Sequence, residues 1–383
     1  MTDYISEDDV AALRAMGGPA GGRALEEGLE AAEPEQSLAE RLVISREYLP
    51  GVLEAIFPGD KDRQAQAARA HALAQEALRV MEGGPGNAMA PVEELAQGLE
   101  VVVHTDGSRP SYLVRDDKVI QATAAPAAQF DVPIAEANDA LTALLPAIGR
   151  VNRGAFAQHT GTGWLIAPDV ILTNRHVAEF LIEEDENGEP RVRDSAAPKI
   201  DFGHEHMAGG KGQASRWRRK LNELLFLGQP NGTPNALDAA LFRLGPGNGP
   251  ATPLPISKSK PGKETMIAIS GYPGAPSASD PRAAIITALF SGLWGVKRFA
   301  PGFVTGGVPG QLFHDASTLG GNSGSAVLTL EPLVGVGLHF GGLVNNSRNN
   351  SHALGQVLKI QGRAGPKFAT LGEALDQLGA TFV

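Results

Sequence analysis

The chain has 383 residues, of which 42% are hydrophobic and 20% charged, with a net charge of −10 and no cysteine. This length implies two or three domains of about 100–200 residues each, and the composition is that of an ordinary globular protein. The negative charge excludes a general attraction to nucleic acid or to anionic membranes, and the lack of cysteine excludes disulfides, zinc–thiolate sites and a cysteine nucleophile.

The N-terminal segment MTDYISEDDV has neither a basic stretch nor an apolar one, so a secretory signal is not expected and a cytoplasmic protein is. No apolar run approaches the roughly 18 residues of a membrane-spanning helix. Residues 1–85 read as helical. Ser6 with Asp9 and Ser37 with Glu40 are helix-start signals, and Gly17-Gly18 and Gly83-Gly84 are stops. An Ala-rich third helix is expected from about Asp60 to Glu82. Residues 86–147 read as a small α/β segment: LEVVVHT and PSYLVRDDKVIQA are β-branched runs, the second with a tight turn at Asp116-Asp117, and 134–145 is a helix.

From about Ile148 to Ile360 the pattern changes to short apolar runs broken by Gly, Pro and Asn, such as GWLIAPDVILTN, TMIAISGYPG, AAIITALFSGLWGV and LVGVGLHFGG. Runs at this spacing without interleaved helices predict an all-β sandwich or barrel. The break GPGNGPATPLP (245–255) divides the region, and TLGEALDQLG (370–379) predicts a closing helix.

Three segments carry chemistry-bearing residues. They are TGTGWLIAPDVILTNRHVAE with His176, NALDAALFRL with Asp238, and TLGGNSGSAVL with Ser323. A serine hydroxyl needs a base within hydrogen-bond reach to become a nucleophile. A neutral imidazole can take that proton and return it to a leaving amine. A buried carboxylate on the other ring nitrogen holds the tautomer. The glycine-rich turn supplies N–H donors for an oxyanion, from Gly321 and Ser323. The chain order His, Asp, Ser matches the chymotrypsin order and neither the subtilisin nor the α/β-hydrolase order. GNSGS also fails the nucleophile-elbow pattern, because it ends in Ser325.

These segments resemble the bacterial branch of the trypsin-like serine peptidases, which includes glutamyl endopeptidases and high-temperature-requirement proteases. The resemblance rests on TNRHV, LDAAL, GYPG (271–274) and GNSGS, in order. It implies a serine endopeptidase with two six-stranded antiparallel β-barrels, at about 148–250 and 251–360, followed by the C-terminal helix. Together they make a protease domain at 148–383, with the triad His176, Asp238 and Ser323 between the barrels. It implies a protein or peptide substrate and no cofactor. It also suggests a primary pocket lined by Thr318, His339, Gly341 and Gly342, suited to Glu or Asp. Phe340 stands where those relatives have Trp, and His339 has a second reading as a packed core histidine. Asn322 replaces the Asp that pairs with a new N-terminus in cleavage-activated members, so that route is not expected. No PDZ-like region follows the protease segment.

The rival reading is a protease-like fold that binds peptides or regulates without turnover. Residues 1–147 show no catalytic motif and would be the part that meets a regulatory partner or ligand. His204 and His206 flank Glu205 in DFGHEHM, but two ligands do not close a metal site, so an exposed strand or loop is expected and no metal. RWRRK (216–220) reads as solvated surface. His71, His104, His159, His314 and His352 read as structural or exposed.

Overall fold

A computed structural model describes residues 108–383 apart from 122–124, 155–156, 207–216, 234, 251, 277–282, 291 and 344–347. The helices expected in 1–85 and the run LEVVVHT lie outside the described residues.

The described chain opens with a hairpin of β1 (Tyr112–Arg115) and β2 (Lys118–Ile120). Its two-residue turn is Asp116-Asp117, with φ of 51° and 61°. Both sit in the left-handed region that a tight hairpin turn requires and that Asp tolerates better than most residues. A 3₁₀ turn at Ala125–Phe130 leads to two short helices, α1 (Asp131–Glu136) and α2 (Asn138–Leu144). They bury Phe130, Ile134 and Leu141 in the main core.

The first barrel comprises β3 (Ile148–Arg153), β4 (Gln158–Ala167), β5 (Val170–Thr173), β8 (Lys199–Asp201), β9 (Arg218–Leu227) and β10 (Ala240–Leu244). These six strands close in the order β10-β5-β4-β3-β8-β9. A side hairpin of β6 (Ile182–Glu184) and β7 (Pro190–Val192) follows the short helix α3 (Arg175–Glu179). The second barrel comprises β11 (Met266–Gly271), β12 (Arg298–Gly306), β13 (Gln311–His314), β14 (Ala326–Leu330), β15 (Leu333–Leu343) and β16 (Arg348–Ala353). It closes through β11 pairing with β12, and β1 adds to the outer side of β12 with Tyr112 opposite Phe299. The expected pair of six-stranded antiparallel barrels is therefore present.

Burial explains why these strands read as continuous apolar runs. In the first barrel Leu165, Ile171, Phe242 and Leu227 point into its own core. Their neighbours Trp164, Leu172, Leu241 and Phe226 point outward into a second core shared with Leu328 and Leu338 of the second barrel. A strand covered on both faces loses its polar alternation. The C-terminal helix α6 (Leu371–Leu378) covers the same shared core with Leu371, Ala374 and Leu375, and is preceded by the single turn α5 (Leu354–Val357). Thr370 caps α6 by accepting from Glu373 N at 3.1 Å, and Gly379 ends it at φ 79°.

The run AAIITALFSGLWGV departs from its expected strand: Ala283–Leu289 is a helix, α4. Its Ala-rich composition favours helix, and its β-branched residues alone do not decide. By compactness the chain divides into two units. One comprises Met1–Leu99, Thr105–Gly107 and Pro276–Gly292, which holds α4. The other comprises Glu100–His104, Ser108–Ala275 and Leu293–Val383, which holds both barrels. Among the described residues no helix is long and apolar enough to cross a membrane.

One buried cation joins three segments of the larger unit. Lys297, fully buried just before β12, donates to the carbonyls of Leu145 and Phe202 at 3.0 Å each and lies 3.2 Å from Glu205 Oε1. Glu205 Oε2 accepts from Asp117 N at 3.2 Å. Burial would raise the Glu205 carboxyl, but the Lys297 charge and the Asp117 N–H outweigh it and hold it below the usual range. Lys297→Met is expected to cost about 3–5 kcal/mol, because it strands a buried carboxylate. Chemical denaturation would read this, with Glu205→Gln added in the double variant recovering most of the loss. Unchanged stability of the single variant would mean that the pair contributes nothing.

Candidate active site

β5 ends at Thr173, and Asn174, extended at φ −76° and ψ 153°, turns the chain into α3. The Asn174 side chain does not cap α3. Its Nδ2 instead donates to the main-chain carbonyl of Asp238 at 2.9 Å. His176 is the second residue of α3. Its N–H donates to Asp238 Oδ1 at 2.9 Å, and its ring Nδ1 donates to Oδ2 at 2.7 Å. One carboxylate thus grips one histidine by main chain and ring together. With the proton on Nδ1, Nε2 is the basic nitrogen. Burial would raise the Asp238 carboxyl; the charge and hydrogen bonds of His176 more than offset this, so its pKa lies below the usual carboxylate value.

The segment Leu319–Ser325 is folded by its own main chain. Asn322 N donates to Leu319 O at 3.0 Å, and Ser325 N to Asn322 O at 2.8 Å. Two glycines make the turn. Gly321 has φ 93° and Gly324 has φ 87°. A Cβ at Gly324 would lie 2.1 Å from Thr162 O, and one at Gly321 would lie 2.6 Å from His159 Cε1, so neither position admits a side chain. Asn322 is buried, and it is neutral where a charged activation partner would need an acid.

Thr162 of the first barrel binds this loop and Thr173 in turn holds Thr162, though neither is a chemistry-bearing residue of the motifs. Thr162 N donates to Ser323 O at 2.8 Å, and Thr162 Oγ1 donates to Gly321 O at 2.9 Å. Thr173 Oγ1 donates to Thr162 O at 2.6 Å. Tyr272, from GYPG, donates its N–H to Thr162 Oγ1 at 3.1 Å and its hydroxyl to Ile148 O at 3.2 Å. Gly161 is another point of close approach. A Cβ there would fall 2.6 Å from Val177 Cγ2 and 3.0 Å from Ser323 O. The residue after His176 and the main chain of Ser323 therefore both lie against Gly161. The hydroxyls stand inside TGTG and ILTN, and a buried-strand Thr beside a catalytic motif is the signal that could have found them.

β15 runs beside the loop. Gly324 N donates to His339 O at 2.9 Å, and His339 N donates to Ser325 O at 3.0 Å. The His339 ring is 1% exposed and lies 5.4 Å from that of His314, centroid to centroid. Burial keeps His339 well below the ordinary histidine pKa, with His314 and His176 adding to the effect; burial alone lowers His314 to about 3. Thr318 is buried, and its Oγ1 donates to Asn349 Oδ1 at 2.6 Å. Gly341 and Gly342 pair with Asn350 and Asn349 of β16, and a Cβ at Gly341 would meet nothing within 4 Å. The wall leading to Thr318 is tied to the residues before β1. Arg109 Nη2 meets Asp315 Oδ2 at 2.6 Å, and Ser317 Oγ donates to Arg109 O at 2.6 Å.

His204 and His206 do not lie on a strand, and His204 Nε2 is 2.8 Å from Arg150 Nη1. Among the described residues, no group of three or more His, Cys, Asp or Glu could hold a metal ion. Within RWRRK, Arg218 pairs with Asp201 at 3.1 Å, and Arg219 donates to the carbonyls of Gly245 and Pro168.

Residues 161–337 match the trypsin-like peptidase domain family. A probable serine protease of Lysobacter enzymogenes is 28% identical over 361 residues, covering 85% of this chain and 86% of that protein. Among solved structures, a Glu endopeptidase in complex with MPD is 21% identical, covers 55% of this chain and 85% of its own, and has a TM-score of 0.38. The inactive form of the Rv3671c protease of M. tuberculosis is 17% identical, covers 68% of this chain and 100% of its own, and has a TM-score of 0.37.

Proposed function

From the premise that this chain carries a trypsin-like serine peptidase domain, we propose that it cleaves peptide bonds through an acyl-enzyme, with Ser323, His176 and Asp238 as its triad. The observation that carries the reading is the double hydrogen bond from His176 to the Asp238 carboxylate. Ser323 Oγ attacks the substrate carbonyl carbon, and its proton passes to His176 Nε2. The negative oxygen is received by the N–H groups of Gly321 and Ser323. The tetrahedral species then expels the amine, which takes the proton from Nε2. A water, deprotonated by the same nitrogen, releases the acid and regenerates Ser323.

A fluorophosphonate probe tests this directly. Wild-type protein is expected to label at Ser323. A chain that folds but does not label would be a peptide-binding module without turnover.

The primary specificity we assign to Thr318, His339, Gly341 and Gly342 is for Glu or Asp. Its support is chemical. His339 Nδ1 is buried with no hydrogen-bond partner among the described residues, and a substrate carboxylate would bring both a partner and the charge that draws a proton onto the ring. Cleavage-site profiling on a peptide library should return acidic residues before the scissile bond, and His339→Val should flatten that preference. A basic or aromatic profile in the wild type would remove the assignment. Residues 1–147 are the part we assign to a regulatory partner or ligand.

A further inference from the structure

Asp238 has three polar groups, and each has a different tether. Its carboxylate holds His176. Its carbonyl accepts from Asn174 Nδ2. Its own N–H donates to His352 Nε2 at 3.0 Å. The first two partners belong to the first barrel, as Asp238 does. His352 belongs to β16 of the second, 114 residues away along the chain.

His352 is well placed to act as a fixed post. It is 7% exposed, its ring lies 4.5 Å from that of Phe340, and its main chain is in register with Leu338 on β15 and Gln311 on β13. The neighbour of Leu338 on β15 is His339, whose N–H and carbonyl bind Ser325 and Gly324. The Asp238 main chain is thus linked through His352 and the β15–β16 pairing to the turn that holds Ser323. Because an N–H points at Nε2, that nitrogen carries no proton and the ring proton sits on Nδ1.

We propose that His352 is a positioning residue of the reaction. It fixes the main chain of Asp238 to the barrel that carries Ser323, and so sets the distance over which His176 works. The proposal rests on the triad reading above. A shift of a fraction of an ångström in Asp238 would lengthen both bonds to His176 at once, and catalysis is sensitive to such displacements.

The test compares two variants of the full chain. His352→Phe keeps a ring against Phe340 and removes the acceptor; His352→Gln keeps an acceptor at the reach of Nε2. His352→Phe is expected to lower kcat and the rate of fluorophosphonate labelling by about 10- to 100-fold, the effect of one stranded buried donor. KM should hold, and the low-field proton resonance of His176 Nδ1–H should move. His352→Gln should restore most of the rate. Wild-type turnover in His352→Phe, or an equal loss in a folded His352→Gln, overturns the proposal. If His352→Phe does not fold, ¹⁵N spectra of histidine-labelled wild type decide: an unprotonated, hydrogen-bonded Nε2 supports it and a protonated Nε2 overturns it. Failure of the wild type to label at all would instead defeat the triad reading on which this one rests.

Discussion

Replacing Ser323 with Ala is expected to lower kcat by about a millionfold, the scale seen when a triad nucleophile is lost in subtilisin. KM and thermal stability should barely change. The Ser323 carbonyl accepts from Thr162 N, a main-chain bond that Ala keeps. Asp238→Asn should cost about ten-thousandfold for a different reason. The carboxylate accepts two N–H bonds from His176, whereas an amide has only one accepting atom and would push the ring proton onto Nε2. The double variant should be little worse than Ser323→Ala alone, because the residues act as a unit. Initial rates on casein check all three. Wild-type cleavage by the Ala variant would show that the nucleophile lies elsewhere.

Stability should fall as the solution is acidified below about pH 6.5, before most carboxylates titrate. The cause is a set of buried neutral histidines. Burial lowers His314 to about 3 and His352 to about 4, the latter against the opposing pull of Asp238, and holds His339 well below the ordinary value. Each binds a proton more readily in the unfolded chain, whose histidine pKa is about 6.5. Between the unfolded and folded pKa values the unfolded state therefore binds more protons, and stability is lost as pH falls through that window. Each histidine contributes a slope of up to about 1.4 kcal/mol per pH unit, and with His159, which burial likewise lowers to about 3, the four together reach about 5.5 kcal/mol per unit. Glu205, with a depressed carboxyl pKa, adds its own loss at still lower pH. Urea denaturation from pH 8 to pH 5 would measure the slope, and His314→Phe should reduce it by about a quarter. A flat profile would mean that these rings take up protons in the folded protein.

The sequence spoke most clearly where a local rule demands a particular residue. Gly321 and Gly324 are required by positive φ and by the lack of room for a Cβ, and such glycines around a serine are visible as a motif. Asp116-Asp117 announced its turn in the same way, and TLGEALDQLG its helix. An all-β sandwich or barrel was legible in the runs at β spacing from Ile148 onward, and the pair of barrels followed from the resemblance carried by TNRHV, LDAAL, GYPG and GNSGS. Legibility failed where short segments have no strong local preference. AAIITAL suits either a strand or a helix, and Ala283–Leu289 is helical. DFGHEHM looked like an exposed pair of histidines, but its central Glu205 is buried against Lys297, 92 positions away.

The sequence by itself determined the fold class, the order of the chemistry-bearing residues, and the glycines without which the loop before Ser323 could not turn. These are properties of neighbours in the chain, set by backbone sterics and side-chain type. Only the tertiary structure decided what those residues touch. It brought the carboxylate of Asp238 to His176 across 62 positions and the ring of His352 to the N–H of Asp238 across 114. It also gave Thr162 the loop to hold, with Thr173 behind it, and tied β1 to β12. Contacts of that range depend on how two closed sheets are packed, and a buried polar group finds its partner only once the packing has removed the water that would otherwise satisfy it.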